Sequence, residues 1–124
     1  MSQRPSILLV EDDDLLRDSF SILLDEAGYH VLTAGTARGA IDTTRDERPG
    51  LVILDLGLPD RPGLDVVREI RRNPDTAATP VIALTGRVGP DEEEACLEAG
   101  CNRFLTKPVS AADLLEELAV FVEA

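Results

Sequence analysis

The sequence predicts an α/β protein, a doubly wound five-stranded parallel sheet with helices on both faces. Two observations predict it. Short apolar runs alternate five times with segments whose apolar residues recur at helical spacing, and such alternation builds a parallel sheet with crossover helices. One run, Leu51-Val52-Ile53-Leu54, has no polar position at all, as expected of a strand covered on both faces. The length, 124 residues with 44% apolar, suits one domain spanning 1–124, with a core over about 6–122.

The first strand is Ser6-Ile7-Leu8-Leu9-Val10, and it runs into Glu11-Asp12-Asp13-Asp14. Leu16, Phe20, Leu23, Leu24 and Ala27 then share one helical face, with Asp13 or Asp14 as cap and Gly28 past the end. His30-Val31-Leu32-Thr33-Ala34 is the second strand. A helix over Ala37 to about Glu47 follows, with Ala37, Ala40, Ile41 and Thr44 inward, and Pro49-Gly50 leads into the third strand. After Asp55 comes a loop, Leu56 to Pro62, rich in Pro, Gly and Asp, and then a helix marked by Leu64, Val67 and Ile70. Asn73 to Thr79 is a polar connection. Pro80-Val81-Ile82-Ala83-Leu84 is the fourth strand, ending at Thr85-Gly86. The next helix, about Pro90 to Ala99, has proline and acids in its first turn and Gly100 at its end. Its apolar face is thin, which predicts a loosely held element. Arg103-Phe104-Leu105-Thr106 is the fifth strand, ending at Lys107-Pro108. Ser110 caps the last helix, whose stripe is Leu114, Leu118, Phe121 and Val122.

Composition excludes several classes. The net charge of -12 repels nucleic acid and anionic lipid, so neither direct nucleic-acid binding nor membrane association is expected. No stretch approaches the roughly 20 apolar residues of a membrane span, and the first five residues do not read as a secretion signal. A cytoplasmic location is expected. Cys96 and Cys101, the only cysteines, match no zinc spacing and are expected as partly buried free thiols. His30, the only histidine, has no ligand or catalytic partner nearby and is expected at a sheet edge. Lys107 is the only lysine among twelve basic residues. A lysine is a compact charge on a flexible stem, suited to reaching a phosphate or carboxylate in a pocket.

Right-handed crossovers bring the carboxyl ends of all strands to one edge, where open α/β sheets bind ligands. That edge then carries Glu11, Asp12, Asp55, Thr85 and Lys107. Alone, Asp55 reads equally well as a turn residue. Three converging carboxylates, however, repel one another unless a cation neutralises them. All-oxygen donors without His or Cys favour a hard ion, Mg²⁺ before Ca²⁺. Carboxylate, metal, hydroxyl and lysine together suit phosphoryl transfer, in which an ionised aspartate serves as nucleophile without a general base.

Val10-Glu11-Asp12, Leu54-Asp55-Leu56-Gly57-Leu58-Pro59 with Gly63, Ala83-Leu84-Thr85-Gly86 and Phe104-Leu105-Thr106-Lys107-Pro108 resemble the motifs of receiver domains of two-component response regulators. The resemblance spans about Ser6 to Val122 and implies the flavodoxin-like strand order 2-1-3-4-5. It implies that Asp55 is phosphorylated by a sensor histidine kinase, a histidine phosphotransfer protein or a small phosphodonor. Asp12, Asp55 and the Gly57 carbonyl would hold Mg²⁺, with Glu11 assisting through water. Lys107 would pair with the phosphoryl group. Thr85 would hydrogen-bond a phosphoryl oxygen, and Phe104 would be the switch aromatic that turns inward when Thr85 moves. Such a domain signals through a partner-binding face rather than acting as an enzyme on an outside substrate.

Three positions depart from the usual pattern: Gly57, Gly86 and Arg87. Gly57 is expected to leave the site open to water and donors, and Arg87 to draw the phosphoryl charge, both tuning phosphate lifetime. Unchanged dephosphorylation in both Gly57→Asn and Arg87→Ala would refute that role. An aspartyl-nucleophile phosphohydrolase is the enzymatic rival, but it would carry a second aspartate at position 57. A receiver-like binding module that is never phosphorylated is the other rival. The downstream partner stays open, as does the choice between a stand-alone receiver and one cut from a larger regulator or hybrid kinase.

Overall fold

A computed structural model describes residues 5–86 and 89–122. The element order is β1 (Ser6–Val10), α1 (Asp14–Glu26), β2 (His30–Ala34), α2 (Ala37–Glu47), β3 (Leu51–Asp55), α3 (Gly63–Arg72), β4 (Val81–Thr85), α4 (Pro90–Ala99), β5 (Arg103–Thr106) and α5 (Ala111–Phe121). The strands form one sheet in the order β2-β1-β3-β4-β5, and every pairing is parallel.

Successive strand residues face opposite sides of a sheet, and the apolar runs supply both layers. Leu8, Val10, Val52, Leu54 and Ala83 pack with Ala40, Val66, Val67, Ile70 and Cys96 on the side of α2, α3 and α4. Ile7, Leu9, Ile53, Ile82 and Leu84 pack with Leu24, Leu114 and Leu118 on the side of α1 and α5. Central β3 and β4 are buried throughout, whereas the edge strands β2 and β5 are half-buried. His30 sits exposed on edge strand β2, as expected.

The helix ends follow local chemistry. Asp13, Thr36 and Ser110 accept the backbone N–H of Leu16, Gly39 and Asp113 at 3.0–3.1 Å, satisfying first-turn donors. Gly28 and Gly100 close α1 and α4 with φ of 104° and 114°, a region open to glycine at little steric cost.

Three details differ from expectation. On α1 only Leu24 is fully buried, and Leu16 is 39% exposed. Leu16 lies in the first turn and lines a groove with Phe20, Leu84, Pro108 and Val109 instead of entering the core. Cys96 and Cys101 are fully buried rather than partly so, at 0% and 6% exposure, because both face the α2/α3/α4 layer. The polar connection after α3 also buries Thr76, whose hydroxyl donates to the Ile70 carbonyl at 2.9 Å. The thin face of α4 is as expected: Cys96 is its one fully buried residue among those described.

Candidate functional site

Parallel register sets the site. Val10 pairs with Leu54, so Glu11 leaves β1 level with Asp55. Thr85 pairs with Thr106, so Lys107 follows one step beyond. Backbone hydrogen bonds continue past the strand ends. Glu11 N–H donates to the Ala34 carbonyl at 3.0 Å, Leu56 N–H to Leu84 at 3.0 Å, and Lys107 N–H to Thr85 at 2.8 Å. The functional side chains therefore hang from backbone that the sheet holds.

Lys107 Nζ lies 2.9 Å from Glu11 Oε1 and 3.2 Å from Asp55 Oδ2. Glu11 Oε2 accepts Asp13 N–H at 3.2 Å, and Asp55 Oδ1 accepts Gly57 N–H at 3.1 Å. Glu11, Asp55 and Thr85 are buried, and Asp12 is exposed. Oxygens of Glu11, Asp12 and Asp55 lie within 4.8 Å of one another.

The two inner carboxylates differ electrically. Burial raises Glu11 above its ordinary value, only partly offset by the Lys107 hydrogen bond. Burial also pushes Asp55 up, but the Gly57 N–H, Glu11 and the Lys107 charge together outweigh it and hold Asp55 below its ordinary value. Lys107 loses solvation too, yet its two carboxylate partners keep it above its ordinary value. Asp55 is thereby held toward the ionised form that a nucleophile needs. Three carboxylates against one ammonium leave the cluster negative, and an all-oxygen donor set of this size fits a small hard divalent ion.

Asp55, Gly57, Leu64, Thr85, Glu92 and Lys107 line an open cleft of about 510 Å³. Among the sequence-expected residues, Glu11, Asp12, Asp55, Gly57, Thr85 and Lys107 thus meet at one edge. Phe104 is half-buried on β5 and packs against the core cluster that includes Cys96, rather than lining the cleft. Arg87 lies outside the described residues. Gly57 has room for a side chain, since a Cβ there would meet only Asp55 Oδ1 at 3.8 Å. Its glycine is not demanded by space.

Sequence reasoning missed three neighbours. Glu92, on the first turn of α4, puts a carboxylate in the cleft wall. Arg17 donates to the Glu11 carbonyl at 3.0 Å and steadies the β1–α1 loop. Asp60, in the loop after Gly57, accepts the N–H groups of Ala37 and Arg38 at 2.8 and 3.0 Å, tying that loop to the start of α2. The only signal for Asp60 was its residue type, because its partners lie 23 and 22 positions earlier.

Residues 7–119 match the family described as the response regulator receiver domain. The chain belongs to this family. It is 38% identical over 105 residues to the transcriptional regulatory protein AfsQ1 of Streptomyces coelicolor, an alignment covering 85% of this chain and 45% of that protein. The chain thus spans about half the length of that relative. It is 29% identical to the polar-differentiation response regulator DivK of Brucella anthropi, covering 94% of this chain and 95% of DivK. The receiver domain of the Pseudomonas aeruginosa sensor histidine kinase PA1611, solved with magnesium in its active-site cleft, superimposes with a TM-score of 0.88 at 31% identity. That superposition covers 96% of this chain and 98% of that one. This receiver is a signal-transduction domain of the phosphorelay type. Receiver domains bind Mg²⁺ at an acidic site, and Glu11, Asp12 and Asp55 form such a cluster here. Among the described residues no helix is long and apolar enough to cross a membrane.

Proposed function

We propose that Asp55 is the phosphoacceptor of this receiver, taking a phosphoryl group from the phosphohistidine of a sensor kinase or histidine phosphotransfer protein. The observation that carries this reading is the position of Lys107 Nζ, 3.2 Å from Asp55 Oδ2 and bridging to Glu11. A carboxylate oxygen of Asp55 attacks phosphorus, the phosphorus–nitrogen bond breaks, and the imidazole leaves with its electron pair. Asp12, Asp55 and the Gly57 carbonyl are the residues that would hold Mg²⁺, with Glu11 behind them, and the ion would supply charge neutralisation for the phosphoryl oxygens. Lys107 moves from Asp55 to the incoming phosphoryl group. Thr85, at the end of β4, offers its hydroxyl to another phosphoryl oxygen. A phosphoryl group adds close to two negative charges beside Glu92 in the cleft wall, which gives α4 a reason to shift. Phe104, packed against the core cluster that includes Cys96, then follows Thr85.

The apolar groove of Leu16, Phe20, Leu84, Pro108 and Val109 opens on Lys107 and measures about 330 Å³. A protein donor finds there apolar surface to dock on beside the carboxylate it must reach. The cytoplasm, where histidine kinases present their phosphohistidines, is the location this reading requires. We read residues 1–124 as one receiver domain with no turnover of an outside substrate. Gly57 and Arg87 are proposed to set phosphate lifetime.

The test is incubation with Mg²⁺ and a small acyl phosphate. Acid-stable, base-labile phosphate on the wild type and none on Asp55→Asn supports the reading. Equal labelling of Asp55→Asn, or sustained release of phosphate from many phosphoesters, refutes it.

A further inference from the structure

Cys96 and Cys101 take no part in the chemistry above, yet they are held together. Cys96 stands in the last turn of α4, and Cys101 is the second residue past it. Cys101 N–H donates to the Cys96 carbonyl at 3.1 Å, and Gly100 between them has φ of 114°. This closes α4 with the six-to-one hydrogen bond of a Schellman turn, which places the side chains at its two ends in contact. Both are buried in the same core cluster. The turn is braced from outside by Arg71, which donates to the Gly100 carbonyl at 2.8 Å and to Asn102 Oδ1 at 2.9 Å.

We propose that Cys96 and Cys101 are a dithiol modification site that a hydroperoxide converts to an intrachain disulfide, clipping the end of α4 to the start of β5. Cys96 rides on the thinly anchored helix α4, whose local opening uncovers its sulfur, and it is the attacking thiol. Its thiolate attacks one peroxide oxygen, the O–O bond breaks, and Cys96 becomes a sulfenic acid while an alcohol or water leaves. Cys101 sulfur then attacks Cys96 sulfur, the S–O bond breaks, and the hydroxide departs with the Cys101 proton as water. Two thiols lose two electrons and the hydroperoxide gains two.

Access comes through α4 itself. Cys96 is the only fully buried residue on that helix among those described, and its half-buried neighbours are Ala95 and Ala99. A helix so thinly anchored opens locally at low cost. Once closed, the clip ties the last turn of α4 to β5, so the two can no longer part at that end.

The whole chain, purified reduced, is exposed natively to hydrogen peroxide and quenched with an alkylating reagent. The expected product is monomeric, lighter by two hydrogens, with no alkylatable thiol in denaturant. Cleavage after glutamate separates the two cysteines at Glu98, so a linked pair of peptides that parts on reduction identifies the bond. Cys96→Ala and Cys101→Ala must each abolish the two-hydrogen loss. Oxidised wild type is expected to unfold at a higher urea concentration than reduced wild type, a readout independent of whether either variant folds well. Retention of both thiols under native peroxide, conversion to sulfinic acid or to disulfide-linked dimers, or a lower unfolding midpoint after oxidation would each overturn the proposal.

Discussion

Lys107 Nζ donates to Glu11 Oε1 at 2.9 Å across 96 positions of sequence, and Glu11 is 2% exposed. The lysine thereby compensates a buried carboxylate as well as facing Asp55. Removing one partner of a buried ion pair leaves the other uncompensated. Lys107→Ala is therefore expected to lower stability by about 2 kcal/mol without divalent ions, the pair being only partly shielded from water. Mg²⁺ should recover more stability in the variant than in the wild type. Urea unfolding in chelator and in Mg²⁺ measures both, and a variant as stable as the wild type in chelator would contradict the pairing.

Thr85 and Phe104 are coupled only if the hydroxyl is what moves. Thr85→Ala is expected to keep Asp55 phosphorylation within about threefold, since the proposed phosphoacceptor and Lys107 remain, while the Phe104 ring signals stop responding. With three phenylalanines and one tyrosine in the chain, those signals are resolvable by NMR at steady phosphorylation. A full Phe104 response in Thr85→Ala would remove Thr85 from the switch.

Gly63 and Gly86 make a controlled pair. A Cβ on Gly63 would stand 2.6 Å from Leu56 Cα and 3.0 Å from the Leu56 carbonyl oxygen, both backbone. Among the described residues, a Cβ on Gly86 would meet nothing within 4 Å. Gly63→Ala is expected to cost about 2 kcal/mol or more through backbone displacement in the 56–62 loop. Gly86→Ala should stay within about 0.5 kcal/mol of the wild type. Thermal melts of the two variants decide it, and equal effects would refute the steric reading.

Asp60 supplies a pH-dependent tie. The N–H groups of Ala37 and Arg38 hold its carboxyl below the ordinary aspartate value of 3.8. A carboxylate lowered by folding stabilises the protein above its unfolded value. That contribution is lost as pH falls through the lower, folded value. The stability gap between wild type and Asp60→Ala should therefore be constant above pH 5 and close below pH 3.8. NMR titration of the Asp60 carboxyl carbon should give a midpoint below that of an unfolded peptide. A midpoint at or above it would show that the tie between the 56–62 loop and α2 does not form in solution.

Most of the fold was legible because it rests on local signals. Apolar runs, helical spacing, caps at Asp13 and Ser110, and glycines at 28 and 100 all act over a few residues, and each element formed close to where those signals placed it. The candidate site was legible for a different reason. In a parallel sheet every strand ends at the same edge, so one-dimensional knowledge of strand ends is already knowledge of proximity. Contacts between loops have no such rule. Asp60 reaching Ala37, Arg71 bracing Gly100 and Glu92 sharing a cleft with Asp55 depend on how loops and helices lie over the sheet, and no spacing in the chain encodes those distances.

The amino-acid sequence by itself determined the layers, the strand ends and the residue types that meet there, because hydrophobic period and turn chemistry act locally and parallel pairing then aligns the ends. Only the tertiary structure decided that one lysine bridges Glu11 and Asp55, that Asp55 is held below its ordinary value, and that two inert-looking cysteines share one buried turn. Those outcomes depend on burial and on distances of a few ångströms between segments far apart in the chain, and such distances exist only after folding.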